Sequence, residues 1–128
     1  MIPLGYEANM DFFQISYFCG MSKVCDDFGS PEALELAKRN VERYYSVVGV
    51  VEKMSESLQV LENYVPAYFQ YARKIYKEIM KEEVVNLNKG KPKVSKEVKQ
   101  LIRQNFTLEI EFYEFCKRRL MKQFLALN

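Results

Sequence analysis

The chain has 128 residues, 48% of them apolar, which is enough for one compact domain, because a domain of this size buries roughly two thirds of its unfolded surface. Its 19 basic and 17 acidic residues leave a net charge of +2; they are well mixed apart from small basic surpluses at 89–99 and 117–122, too thin for a nucleic-acid footprint. Histidine is absent, which removes the commonest general base near neutral pH and the commonest transition-metal ligand.

Residues 1–10 have neither the basic start nor the apolar stretch of a signal peptide, so the targeting segment of a secretory protein would lie outside this chain. Residues 11–17 alternate imperfectly through Phe12, Phe13, Ile15 and Tyr17, which predicts a short extended segment entering a turn at Gly20. A helix then starts with Ser30 as cap, Pro31 at the first helical position and Glu32 at the positive end of the dipole. Ala33, Ala37, Val41 and Tyr45 line one face of it at i+4 spacing.

The β-branched run Val47-Val48-Gly49-Val50-Val51 predicts a strand buried on both faces. It is also the longest uncharged apolar run, far short of the ~20 residues that cross a bilayer. Few residues elsewhere could pair with it, so an α/β sheet would be incomplete and would leave an apolar edge. Ser55 can cap a following helix carrying Leu58, Leu61 and Val65, ended by Pro66. A further helix is expected from about Ala67 to Lys81, with Tyr68, Tyr71, Ile75 and Ile79 on one side. Residues 82–95 form the one long irregular segment, rich in Asn, Lys and Gly. Ser95 restarts a helix with Val98, Leu101 and Ile102, a break falls near Asn105, and a last helix carries Leu108, Phe112, Cys116, Leu120 and Phe124.

Several features could carry chemistry. Cys19 and Cys25 flank a loop short enough to be closed by a disulfide, yet two reduced thiols are the commoner state of such a pair in a cytosolic protein. Without histidine, and with only Cys116 besides, a four-ligand cysteine or cysteine–histidine zinc site cannot be assembled. Asn105-Phe106-Thr107 fits the N-glycosylation acceptor pattern, which also occurs often by chance. The lysines of 89–99 could gather an anion, though a solvated loop is the usual meaning of such a run. Glu109, Glu111 and Glu114 read as the solvated side and dipole partners of a helix start rather than as a catalytic carboxylate pair.

The order of several patches carries a resemblance. Tyr17-Phe18-Cys19-Gly20 with Cys25, Ala37-Lys38, Asn40-Val41, Val48-Gly49-Val50 with Glu52, Leu61-Glu62 with Pro66 and Phe69, and Glu111-Phe112-Tyr113-Glu114-Phe115 together resemble the carboxyl-terminal half of the uronyl and heparan sulfate 2-O-sulfotransferases, nearest the Pipe-type members. The similarity runs from about Phe13 to Phe124. Residues 1–12 form a poorly matched leader, and residues 13–128 would be the carboxyl-terminal part of a sulfotransferase domain.

The resemblance implies a type II Golgi membrane protein with a luminal α/β domain of the P-loop-like sulfotransferase fold, of which this chain would be the mostly helical part with one or two short strands. The implied reaction transfers a sulfuryl group from 3′-phosphoadenosine 5′-phosphosulfate (PAPS) to the 2-hydroxyl of a uronic acid in a glycosaminoglycan or other glycan, with no metal. In that family the phosphate loop and the catalytic histidine lie upstream of the matched region. This chain has neither, so no catalytic residue is assigned and the chain alone is expected to be inactive.

In relatives the irregular loop covers the nucleotide, which implies cofactor contacts at Tyr76, Lys77, Asn88 and Lys91. Asn86 stands on the substrate side, where heparan sulfate members carry an arginine, and Met21 stands where relatives have a histidine. Loss of the guanidinium removes bidentate recognition of carboxylate or sulfate, which puts the usual glycosaminoglycan in doubt. The same reading joins Cys19 to Cys25 and makes Asn105 a luminal glycosylation site. Its implied partners are a glycan acceptor, the nucleotide donor and other copies of a full-length enzyme. The alternative is a non-catalytic helical interaction module, such as a truncated isoform that pairs with a full-length enzyme.

Overall fold

The computed structural model describes residues 13–82 and 92–127. Within them the chain forms seven α-helices: α1 (Gln14–Cys19), α2 (Pro31–Tyr44), α3 (Met54–Tyr64), α4 (Pro66–Phe69), α5 (Ala72–Glu82), α6 (Lys96–Asn105) and α7 (Thr107–Leu125). No strand occurs among the described residues.

The longest helix, α7, is the spine. Its apolar ladder buries Phe112, Cys116 and Leu120, as the i+4 spacing predicts. Its first half packs with α1 and α2 around Ile15, Cys19, Cys25, Leu34, Ala37, Val41 and Phe112. Its second half meets α3 through Leu120, Val60 and Val50. Polar ties run along the same helix: Lys38 Nζ donates to Glu111 at 3.1 Å, the Tyr113 hydroxyl to Glu52 at 2.8 Å, Arg119 to the Tyr45 carbonyl at 2.6 Å and Gln123 to the Ser46 carbonyl at 2.9 Å. Burial first, and then the Glu52 carboxylate, push the Tyr113 phenol up to about 12.

The start of α2 is as the sequence predicts: the Ala33 N–H donates to the Ser30 hydroxyl at 3.2 Å and Pro31 occupies the first helical position. The segment expected to be extended over 11–17 is helix α1 from Gln14 onward, its first two residues lying outside the described ones. Two groups distant in sequence account for the change. At the N-terminus, the Glu109 carboxylate of α7 accepts the backbone N–H groups of Gln14 at 3.1 Å and Ile15 at 3.3 Å. At the C-terminus, the Asn40 amide of α2 donates to the carbonyls of Phe18 and Cys19 at 3.0 and 2.9 Å. Both ends of a six-residue helix are thereby relieved of unpaired backbone groups.

Glu109 is therefore not a solvated residue, contrary to the sequence reading. Burial, opposed by its two backbone hydrogen bonds, raises its carboxyl above the usual glutamate range. The sign of the linkage follows: a raised folded-state pKa means that the folded chain binds the proton more tightly than the unfolded one. The contribution is complete below the unfolded value and lost as pH rises through the folded one. The difference in melting temperature between the native chain and Glu109→Gln should shift in favour of the native chain as pH falls from 7 to 4, measured by circular dichroism.

The expected strand at 47–51 is not formed either. Val50 has extended dihedrals and is buried, but Val51 is 48% exposed, so the run is not covered on both faces. Its ladder partner is a side chain. The buried Ser57 hydroxyl of α3 accepts from the Val50 N–H at 2.9 Å and donates to the Val50 carbonyl at 3.0 Å, which serves both backbone groups that a neighbouring strand would have served. The apolar edge expected of a cut sheet is closed at this point. Gly49 permits the approach, since a Cβ there would lie 3.3 Å from Ser57 Cβ.

Two further boundaries differ. Ser55 lies inside α3 rather than capping it, because the helix begins at Met54. The single helix expected over 67–81 is broken between α4 and α5, where Gln70 (φ −56°, ψ 129°) and Tyr71 (φ 66°) form the centre of a type II turn. Pro66 does end α3, and Asn105 is the last residue of α6, as the sequence predicts.

Candidate functional site

Of the implied cofactor contacts, two fall within the described residues, and both are on α5. What positions α5 is a charge pair formed across the turn. The Glu62 carboxylate of α3 accepts the Arg73 backbone N–H at 2.8 Å and the Arg73 Nε at 2.8 Å, while Arg73 Nη1 reaches Gln59 Oε1 at 3.1 Å. The Arg73 N–H foremost, and then its guanidinium, hold Glu62 below the usual carboxylate range against the cost of burial. Glu62 thus receives an orphan amide at the start of α5, a capping role supplied from another helix. Because Arg73 is exposed while Glu62 is half-buried, the value of the pair is orientation more than stability.

Between α3 and α5 lies an open groove of about 670 Å³, whose walls include Asn63, Gln70, Tyr71, Lys74 and Lys77. Lys74 and Lys77 stand three positions apart, on one side of α5. Neither makes an ion pair among the described residues. The groove is polar and cationic, suited to an anion with hydroxyl groups rather than to an apolar molecule.

Lys77 therefore stands in a groove wall, whereas Tyr76 is half-buried and does not line it. Asn86, Asn88 and Lys91 lie outside the described residues. Cys19 and Cys25 are joined in a disulfide with Cα atoms 5.6 Å apart. Closing so short a loop contributes about 2 kcal/mol. Cys116 is free and buried, its thiol pushed up to about 11 mainly by burial. Asn105 is exposed at the end of α6, while Phe106 beside it packs on the rings of Phe13 and Phe28 at 5.7 and 5.4 Å.

The residues that sequence reasoning missed are Glu62, Arg73 and Tyr71. The first two are 11 positions apart on different helices, a spacing that carries no signal. Tyr71 occupies a backbone conformation that a glycine would have announced.

No protein-family model matches the chain. Among curated proteins it is 46% identical over 118 residues to a uronyl 2-sulfotransferase homolog, pip, of Drosophila melanogaster, covering 90% of this chain and 23% of that protein. It is 34% identical to the uronyl 2-sulfotransferase of Homo sapiens over 91% of the chain and 30% of the relative. It is 35% identical to heparan sulfate 2-O-sulfotransferase 1 of Xenopus laevis over 82% of the chain and 30% of the relative. The chain thus spans less than a third of the length of these relatives.

By their names, the relatives are carbohydrate sulfotransferases, and that is the class of protein to which this chain is related. Within the class it corresponds to a carboxyl-terminal portion of the uronyl and heparan sulfate 2-O-sulfotransferases, Pipe-like members included.

Proposed function

We propose that the chain is the helical flank of a PAPS-dependent carbohydrate 2-O-sulfotransferase of the P-loop-like α/β fold, acting in the Golgi lumen. The observation that carries this reading is the similarity to 2-O-sulfotransferases over 90% of the chain. Sulfuryl transfer needs in-line attack of a sugar hydroxyl on sulfur, a base for the hydroxyl proton and positive groups around the nucleotide phosphates. This chain contains no histidine, and on this reading the base comes from an upstream segment of the enzyme. Its own contribution is electrostatic, with the Lys91 ammonium on a nucleotide phosphate and Tyr76, Lys77 and Asn88 completing the cover.

Asn86 faces the acceptor, and without a guanidinium there the glycan can differ from heparan sulfate. The Cys19–Cys25 disulfide fits an oxidising compartment, and the exposure of Asn105 suits a luminal glycosylation site.

Calorimetry with adenosine 3′,5′-bisphosphate tests the reading. A chain extended upstream by the sulfotransferase segment should bind the nucleotide and transfer sulfate, Lys77→Ala should weaken nucleotide binding roughly 10-fold, and the 128-residue chain alone should transfer none. Unchanged nucleotide affinity in Lys77→Ala would remove the proposed contact. A second reading, a non-catalytic interaction module, is favoured by the apolar faces of α5 and α6, where Ile75, Ile79, Met80, Val98, Leu101 and Ile102 are 44–56% exposed. Tight association with a full-length enzyme, without nucleotide binding in any extended form, would select it.

A further inference from the structure

The groove between α3 and α5 contains a residue whose conformation is costly and whose side chain gains little packing. Tyr71 has φ 66° at the third position of a type II turn, where glycine or asparagine is the unstrained choice. Its carbonyl accepts the Ile75 N–H at 3.0 Å and so opens α5. That capping position favours Ser, Asp, Asn or Gly, and a phenol cannot supply the local acceptor that those polar side chains provide. The residue is nonetheless 64% exposed. Strain at an exposed position persists where the side chain serves something other than the fold.

We infer that this groove is a subsite for an anionic oligosaccharide, with the Tyr71 ring as stacking platform and Lys74 as counter-charge. The proposal rests on the sulfotransferase reading for its ligand class and adds a place where the acceptor chain lies. The C–H face of a sugar ring packs on an exposed aromatic ring, its hydroxyls find the amides of Gln70 and Asn63 in the groove walls, and its sulfate or carboxylate groups meet Lys74. The carboxylate in the groove, Glu62, is neutralised by Arg73 at 2.8 Å, so it does not repel an anion. Lys77, one turn further along α5 and itself a proposed nucleotide contact, lines the same groove, which lets one groove lead acceptor toward donor.

The test uses the full 128-residue chain, a heparin-derived hexasaccharide, maltohexaose as neutral control and inorganic sulfate as a bare anion, with binding read by calorimetry at several salt concentrations. The native chain should bind the hexasaccharide in preference to both controls. Tyr71→Gly should raise the melting temperature by about 3 °C and weaken the hexasaccharide roughly 5-fold, while Tyr71→Phe should retain binding. Lys74→Ala should weaken binding and flatten its salt dependence.

A Tyr71→Gly chain that binds the hexasaccharide as well as the native one would overturn the proposal. So would equal binding of maltohexaose, of inorganic sulfate at matched charge, or no hexasaccharide binding at all. Nucleotide affinity of the extended chain is measured on the same variants, so that loss of this subsite and loss of the sulfotransferase reading give different results.

Discussion

Replacing Phe112 with alanine is expected to destabilise the chain by about 3–5 kcal/mol, a large part of the 5–15 kcal/mol that holds a typical domain together. Phe112 is 1% exposed and sits where α1, α2 and α7 meet. Its ring lies 5.3 Å from that of Phe18 on α1 and 6.4 Å from that of Phe115 on α7, so truncation removes both ring contacts and leaves a cavity where the three helices meet. Urea denaturation followed by circular dichroism should show the midpoint falling with little change in slope. A loss below about 1 kcal/mol would mean that this core is repacked or already loose.

Ser57→Ala should cost about 1–3 kcal/mol, although it removes a single oxygen. That oxygen is the acceptor for the Val50 N–H and one of two donors to the Val50 carbonyl, which also accepts the Lys53 N–H at 3.0 Å, and Val50 is 5% exposed. Water cannot readily replace it, so the Val50 N–H is left unpaired, while the carbonyl keeps its bond from Lys53. Ser57→Thr keeps the hydroxyl but adds a methyl where Gly49 already approaches closely, so an intermediate loss is expected. Amide hydrogen exchange at Val50 is the direct measurement: protection should fall sharply in Ser57→Ala, and unchanged protection would show that the segment is held by packing alone.

Where the stabilising partner is local, the sequence was readable. Ser30, Pro31 and Glu32 announce α2, the i+4 ladder from Leu108 to Phe124 announces α7, and the break at Asn105 falls where it should. Two of the failures share one cause. α1 is a helix because of Glu109, 95 positions away, and local alternation outweighed the Ile15–Phe18–Cys19 face. The valine run is extended, as β-branching favours, but its partner is a hydroxyl on a helix rather than a strand.

The split between α4 and α5 was hidden because a tyrosine stands at a turn position that usually carries glycine. The candidate site was legible only through Lys77. The groove itself depends on Glu62 meeting Arg73 across a turn, which no periodicity encodes.

The support of α1 has a consequence for the order of folding. A six-residue helix is far too short to persist by itself in water, and both of its ends wait for groups on α2 and α7. The first of the paired cysteines therefore acquires its final neighbourhood only when the last long helix has been made and has docked. The settled surroundings of the amino-terminal cross-link are thus completed by groups from α2 and from the opposite end of the polypeptide.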